Sequence, residues 1–406
     1  MKKLRTLSLA TLSVLGFVLL SSCGGDDDMN PDMPMPTGQS KTYALAAVAN
    51  PSISGLVSFV ENDDNSTTVT ISLNNTPAGG QHPAHIHMNT AAEGGDIAIT
   101  LGTVDGGTGE GAVTFSTFDD GTPVTYDDLM MYDGYINVHL SASELGTIVA
   151  QGDIGQNELT GMSKTYDLGS VAVADISGTA TFSERVNGEA LAVLAIENTP
   201  AGGSHPAHIH MNTAAEGGGI AFTFNPVNGD TGMSKTNVAM LDDGTSFTYE
   251  DVLDFDGYIN VHVSAEDLGT LVAQGDMGQN ELTGESKVYT LNSVAVPGIN
   301  GTATFSERAN GEALAVLMLV NTPDGGMHPA HIHNNSAAVG GGIAFTFNTV
   351  NGDTGMSKTN VAMLDDDTAF GYADVLTFDG YINVHLSATQ LGTIVGQGNI
   401  GSNSTE

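Results

Sequence analysis

The chain has a single cysteine, Cys23, and no tryptophan. One thiol forms no intramolecular disulfide, so the fold must be held by ordinary core burial, which domains of more than a hundred residues can sustain. Basic residues are nearly as scarce. Ten Lys and Arg stand against 47 Asp and Glu, and Lys2, Lys3 and Arg5 of the ten lie at the very start. That balance makes nucleic acid and anionic membrane surfaces poor partners and favours cations, metal ions included. Acidity also keeps an exposed protein soluble without further purpose, so the charge permits metal binding and does not diagnose it. No phosphate-cradling loop, serine elbow, paired-carboxylate signature or complete calcium loop is present. The pieces Asp105-Gly106-Gly107, Asn228-Gly229-Asp230 and Asn351-Gly352-Asp353 read as turns. Helix signals are limited to single turns at Thr125-Tyr126-Asp127-Asp128 and Ser141-Ala142-Ser143-Glu144, which have the layout of capping boxes.

One apolar run stands out. Leu7 to Leu20, preceded by the three cations and closed by Leu20-Ser21-Ser22-Cys23, has the layout of a secretory signal and resembles the lipobox of bacterial lipoproteins. It is short for a membrane span. The resemblance implies that residues 1–22 are removed and that Cys23 carries the lipid. Residues 23–40, with Asp26-Asp27-Asp28 and the Pro/Met stretch Met29 to Pro36, lack the apolar content to fold alone and read as a tether. An acidic run directly behind such a cysteine resembles the signal that sends some Gram-negative lipoproteins outward. The expectation is an outer-membrane lipoprotein exposed at the cell surface, touching the membrane through its anchor alone, with any extracellular protein or matrix partner unknown.

The remainder repeats. His82, His205 and His328 open the same motif at a period of 123 residues, as do the later His139, His262 and His385. A period this long is a whole domain per copy. Three domains are expected at 41–157, 164–280 and 287–402, joined by the polar stretches Gly155 to Gly161 and Gly278 to Gly284. Thr67 to Leu73 and Tyr135 to Leu140 alternate polar and apolar residues, and Gly, Asn and Asp punctuate the chain about every ten residues, the pattern of an all-β fold. The fold class expected is three tandem antiparallel Greek-key-type β-sandwich or barrel domains.

All twelve histidines fall into three matching sets: His82, His85, His87 and His139; His205, His208, His210 and His262; His328, His331, His333 and His385. Copies two and three are alike throughout and witness little. Copy one has drifted over Lys41 to Gln81, yet keeps His-Pro-Ala-His-Ile-His-Met-Asn-Thr-Ala-Ala-Glu-Gly-Gly unchanged from copy two. If Ala84 to Met88 is a strand, His85 and His87 share one face while Ala84, Ile86 and Met88 take the core face. The same parity in Tyr135 to Leu140 buries Ile136, Val138 and Leu140 and puts His139 on the other face with Tyr135 and Asn137. Two imidazoles two residues apart on a strand can both reach one ion, and a third from a neighbouring strand completes a trio suited to copper or zinc with a coordination position left open. His82 has the wrong parity for that face, which leaves it as a fourth ligand or as an orienting residue bonded to backbone; the same holds for His205 and His328. Surface histidines that only hydrogen-bond across strands are the competing reading.

At this point the residues resemble a family. His85-Ile86-His87 with its Gly-rich turn, Tyr135-Ile136-Asn137-Val138-His139 and the Gly146-to-Gly152 tail look like the CHRD domain, the chordin-type module of many bacterial surface proteins. The likeness covers nearly all of each copy, although the family's tail acid and arginine are missing from Gly146-Thr147-Ile148-Val149-Ala150-Gln151. A more distant resemblance links Gly80 to His87 and Val138-His139 with Glu144-Leu145-Gly146 to the copper-binding segments of Cu/Zn superoxide dismutase. It implies that His85, His87 and His139 match copper ligands and that His82 matches a structural histidine. No histidine lies between His87 and His139, so the bridging ligand and zinc site of that enzyme have no counterpart, nor has its disulfide. Copy one has no Lys or Arg between Lys41 and Lys164 to steer an anionic substrate. The expectation is therefore a non-catalytic module binding copper or zinc, with a structural or adhesive repeat protein and a superoxide dismutase-like copper enzyme as the alternatives.

Overall fold

A computed structural model describes residues 34–49 and 52–405. Cys23, the apolar leader and most of the tether lie outside the described residues. Among those described, no helix is long and apolar enough to cross a membrane.

Copy one is a closed antiparallel barrel of eight strands: β1 (Pro36–Ala47), β2 (Ser54–Asn62), β3 (Thr67–Asn74), β4 (Gln81–Met88), β5 (Ile97–Asp105), β6 (Glu110–Phe115), β7 (Asp133–His139) and β8 (Ile148–Gly155). The order around the barrel is β1-β2-β3-β6-β5-β4-β7-β8. β6 thus pairs with β3 and β7 with β4, the non-sequential neighbours of a Greek-key connection. Closure leaves no strand edge unpaired, which suits a chain without disulfides. The connection from β6 to β7 carries one short helix, α1 (Tyr126–Met130), whose N-cap Thr125 and Asp128 form the capping box read from the sequence. Ser141 to Glu144 is a turn instead, closed by the Glu144 amide on the Ser141 carbonyl at 3.1 Å.

Copies two and three run the same circuit, as two ten-stranded sheets, because their counterparts of β4 and β5 are each split in two. Copy one passes this point through Gly102 at φ +81°. Copies two and three have Asn225 and Asn348 there, whose amides turn to the carbonyls of Lys235 and Lys358, each at 2.7 Å.

Each copy begins before the Lys expected to open it. β1 starts at Pro36, the next strand β9 (Leu159–Ser170) at Leu159, and its counterpart in copy three at Leu282. Pro36 to Ser40, assigned to the tether from composition, are strand: Thr37 and Gln39 hydrogen-bond Glu61 on β2 at 2.5 and 3.1 Å. Between β8 and β9 only Gln156 to Glu158 remain as connection.

Alternation fills the core as the pattern requires. Val69, Ile71 and Leu73 of β3, Ala84 and Ile86 of β4, and Ile136 and Val138 of β7 are buried in the core cluster of copy one around Phe59. Leu140 packs on its margin. Met88 does not join it: it is the last residue of β4, opposite Gly134 of β7, and is exposed. Phe182 and Phe305 take the place of Phe59 in the other two cores, all three with no exposed surface. Phe59→Ala should therefore cost copy one about 3–5 kcal/mol, the usual range for emptying a buried aromatic site. Urea unfolding followed by far-ultraviolet circular dichroism measures it, and a cost below about 1 kcal/mol would mean that Phe59 is not part of a packed core.

Candidate metal centre

β4 and β7 pair antiparallel, with His85 opposite Asn137 and His87 opposite Tyr135. The outward parity of both strands therefore sets His85, His87 and His139 side by side. Their ring centroids lie 5.9 Å apart for His85 and His87, 5.1 Å for His85 and His139, and 6.2 Å for His87 and His139. One nitrogen from each comes within 4.8 Å of the others, and the sets His208, His210, His262 and His331, His333, His385 do the same.

The rings are aimed by their second nitrogens. His87 Nδ1 donates to the Gly95 carbonyl at 2.9 Å, and His139 Nδ1 to the Leu145 carbonyl at 2.5 Å. His87 also stacks on Tyr135, 5.0 Å between centroids and 18° between planes, while the Tyr135 hydroxyl accepts from the Gly95 amide at 3.2 Å. Fixing a ring through its far N–H is how metal-ligating histidines are usually held. It also fixes the tautomer: with Nδ1 protonated, Nε2 of His87 and His139 carries a lone pair.

Those lone pairs have nowhere to go. His85 Nδ1, His87 Nε2 and His139 Nε2 are all buried without a hydrogen-bond partner. Each such atom costs on the order of 1–3 kcal/mol, so three in one trio require a reason. In copies two and three, His208 Nδ1 lies 3.1 Å from His262 Nε2 and His331 Nδ1 lies 3.1 Å from His385 Nε2, while Nε2 of His210 and His333 is still unpartnered. A separation of that size is one that two nitrogens can have when each sits about 2.0–2.1 Å from a shared ion. The donor set, three imidazoles, suits copper or zinc.

The copy-one trio lies outside the barrel wall, as the parity predicts, yet all three of its residues are buried, whereas His210, His331 and His333 of the other copies are partly exposed. The chain around Gly95 and around Leu145 folds over the copy-one rings, leaving His139 only 6% exposed. Burial holds the pKa of His85 below the ordinary histidine value, with His139 and His87 adding to the effect, and burial likewise lowers His139. The same holds for His208, His262, His331 and His385. The shift favours the neutral ring, the form in which imidazole binds metal.

His82 stands apart from the trio. Its ring is buried, and Nδ1 meets the His139 carbonyl at 3.2 Å; His205 and His328 repeat this against His262 and His385. Of the two roles open to it, the geometry is that of the residue bonded to backbone, where it pins the end of β7. Space for the ring comes from Gly80, at which a Cβ would fall 2.5 Å from His82 Nε2.

Three contributors escaped the sequence reading. The Gly95 and Leu145 carbonyls are backbone atoms that no residue type reveals. Asp119, whose charge works against the lowering of the His85 pKa, is bound to the amide and hydroxyl of Thr100 at 3.0 and 2.7 Å. Its recurrence as Asp242 and Asp365 on Thr223 and Thr346 was the only available signal.

No family model, curated protein or solved structure matches the chain.

The lowered histidine pKa values fix the sign of one pH effect. Above the ordinary value of 6.5, folded and unfolded chains are both neutral at these rings and nothing is gained or lost. As pH falls through 6.5 the unfolded chain takes up protons first, so the metal-free protein loses stability there. The urea midpoint should drop between pH 7.5 and pH 5.5, and by less in His139→Asn/His262→Asn/His385→Asn. An equal drop in that variant would show that the rings are not the cause.

Proposed function

We propose that the chain is a lipid-anchored surface protein whose three CHRD-type domains are non-catalytic modules, each binding one copper or zinc ion through His85, His87 and His139 or their counterparts. The observation that carries the reading is that His85, His87 and His139 each bring a nitrogen within 4.8 Å of the others while His85 Nδ1, His87 Nε2 and His139 Nε2 are buried without a hydrogen-bond partner. The ion would supply a Lewis-acidic centre with a position free for a further ligand. Gly95 and Leu145 orient the rings toward it, and His82 holds the strand that presents His139.

A binding role is favoured over turnover by the local charge. Superoxide and other anions need positive potential near the site, and copy one offers no Lys or Arg between Lys41 and Lys164, with Asp119 beside His85. A purely structural role has one observation in its favour: in copies two and three, the 3.1 Å contact between His208 and His262 serves as an N–H···N bond without any ion. His210 Nε2 and His333 Nε2 remain unpartnered under that reading.

Isothermal titration of the metal-free protein should show three copper(II) or zinc(II) ions bound per chain, with affinity in the micromolar range or tighter. His87→Asn, His210→Asn and His333→Asn together should abolish it while leaving the sheet spectrum intact. No binding at micromolar metal, or undiminished binding in the triple variant, sinks the proposal. Loss of folding in metal-free buffer on the same substitutions would favour the structural role.

A further inference from the structure

The mature chain has very few cations, and two of them are buried completely at the junctions between copies. Arg185 ends β10 (Ser177–Arg185) of copy two and has no exposed surface. Its Nη1 reaches back to copy one, to Asp153 Oδ2 at 2.7 Å and the Asn157 carbonyl at 2.6 Å, while Nε donates to Asn237 Oδ1 at 2.9 Å. Arg308 repeats this between copies three and two, with Asp276 Oδ2 at 2.7 Å, the Asn280 carbonyl at 2.5 Å and Asn360 Oδ1 at 2.8 Å. Backbone bonds join the same faces: the amides of Val186 and Asn187 meet the carbonyls of Glu158 and Gln156. So do the Asn225 and Asn348 amides, which reach the carbonyls of Ala92 and Ala215 at 3.4 and 3.2 Å.

The carboxylate has two jobs, and the ends of the chain separate them. Asp153 Oδ1 accepts from the Ala91 amide of its own copy at 2.8 Å, as Asp276 does from Ala214. In copy three the corresponding residue is Asn399, which keeps that bond to Ala337 at 2.9 Å but brings an amide in place of the carboxylate. At the other end, the residue one period before Arg185 is Asn62. It is buried and bonded within its own copy to Ser66 and Thr68, both at 2.9 Å. Charge stands at these positions only where a neighbour supplies the opposite charge, as burial of an ion demands.

We propose that the Asp face of each copy is a docking surface for the Arg face of the next copy. The three domains then form one rigid, directionally ordered array, with the neutral Asn62 and Asn399 on the faces that lie outside the two junctions. The partner that this surface fits is another copy of the same domain, and the docking fixes the separation of the histidine trios whether or not they hold metal.

Spin labels at Ala142→Cys and Ala265→Cys, both exposed, in the full chain carrying Cys23→Ser, report the relation of copies one and two by pulsed dipolar spectroscopy. The parent should give one narrow distance distribution. Asp153→Asn/Arg185→Asn, which places at the junction the residues that the two outer faces already carry, should broaden it with an unchanged sheet spectrum. Asp153→Asn alone, which keeps the Ala91 bond and removes only the charge, should broaden it too, whereas Asp276→Asn/Arg308→Asn should leave it narrow. A broad distribution in the parent, or a narrow one in either variant at the first junction, overturns the proposal.

Discussion

Everything at the histidine site depends on the two-residue period of a strand inside a closed wall. A barrel has an inside and an outside and no third option, so once Ala84, Ile86, Ile136 and Val138 are drawn to the core, the alternate residues of β4 and β7 must share the outer surface. The antiparallel register then decides which of them meet. The trio is thus a by-product of core packing, and its precision comes from the backbone carbonyls of two loops together with the Tyr135 and His82 side chains.

That outer surface is not a solvent face in the ordinary sense. With the Gly95 and Leu145 segments laid across it, the site has the seclusion of an interior while standing outside the barrel. Seclusion is what lowers the pKa of His85 and His139 and leaves nitrogens of the trio without a hydrogen-bond partner, and so it gives the arrangement its chemical character. Tyr135 serves the cover twice, as a plate under His87 and as an anchor for the Gly95 amide.

Much of this was legible in the sequence, and what was not has identifiable causes. Alternation, the fixed repeat and turn residues foretold an all-β chain of three like units, because burial alone dictates those patterns. Parity grouped His85, His87 and His139 and set His82 aside. The reading went astray where the partner lay elsewhere in space. Met88 obeys the period but ends β4 exposed, opposite Gly134 of β7. Pro36 to Ser40 have a tether's composition yet lie along β2, paired at Pro36 and Ser40 and held between them by the Thr37 and Gln39 side chains on Glu61. Arg185 carried no local mark at all; its meaning lies in Asp153, 32 residues earlier in another copy.

The substitutions at the two extremities also constrain how such a chain can lengthen. Only the middle unit has both an arginine toward its predecessor and an aspartate toward its successor, in Arg185 and Asp276. Duplicating it would yield a longer series with every seam satisfied, whereas appending a unit beyond Asn399 or ahead of Asn62 would leave a guanidinium or a carboxylate stranded. A further unit is thereby accommodated between two charged seams and not against Asn62 or Asn399.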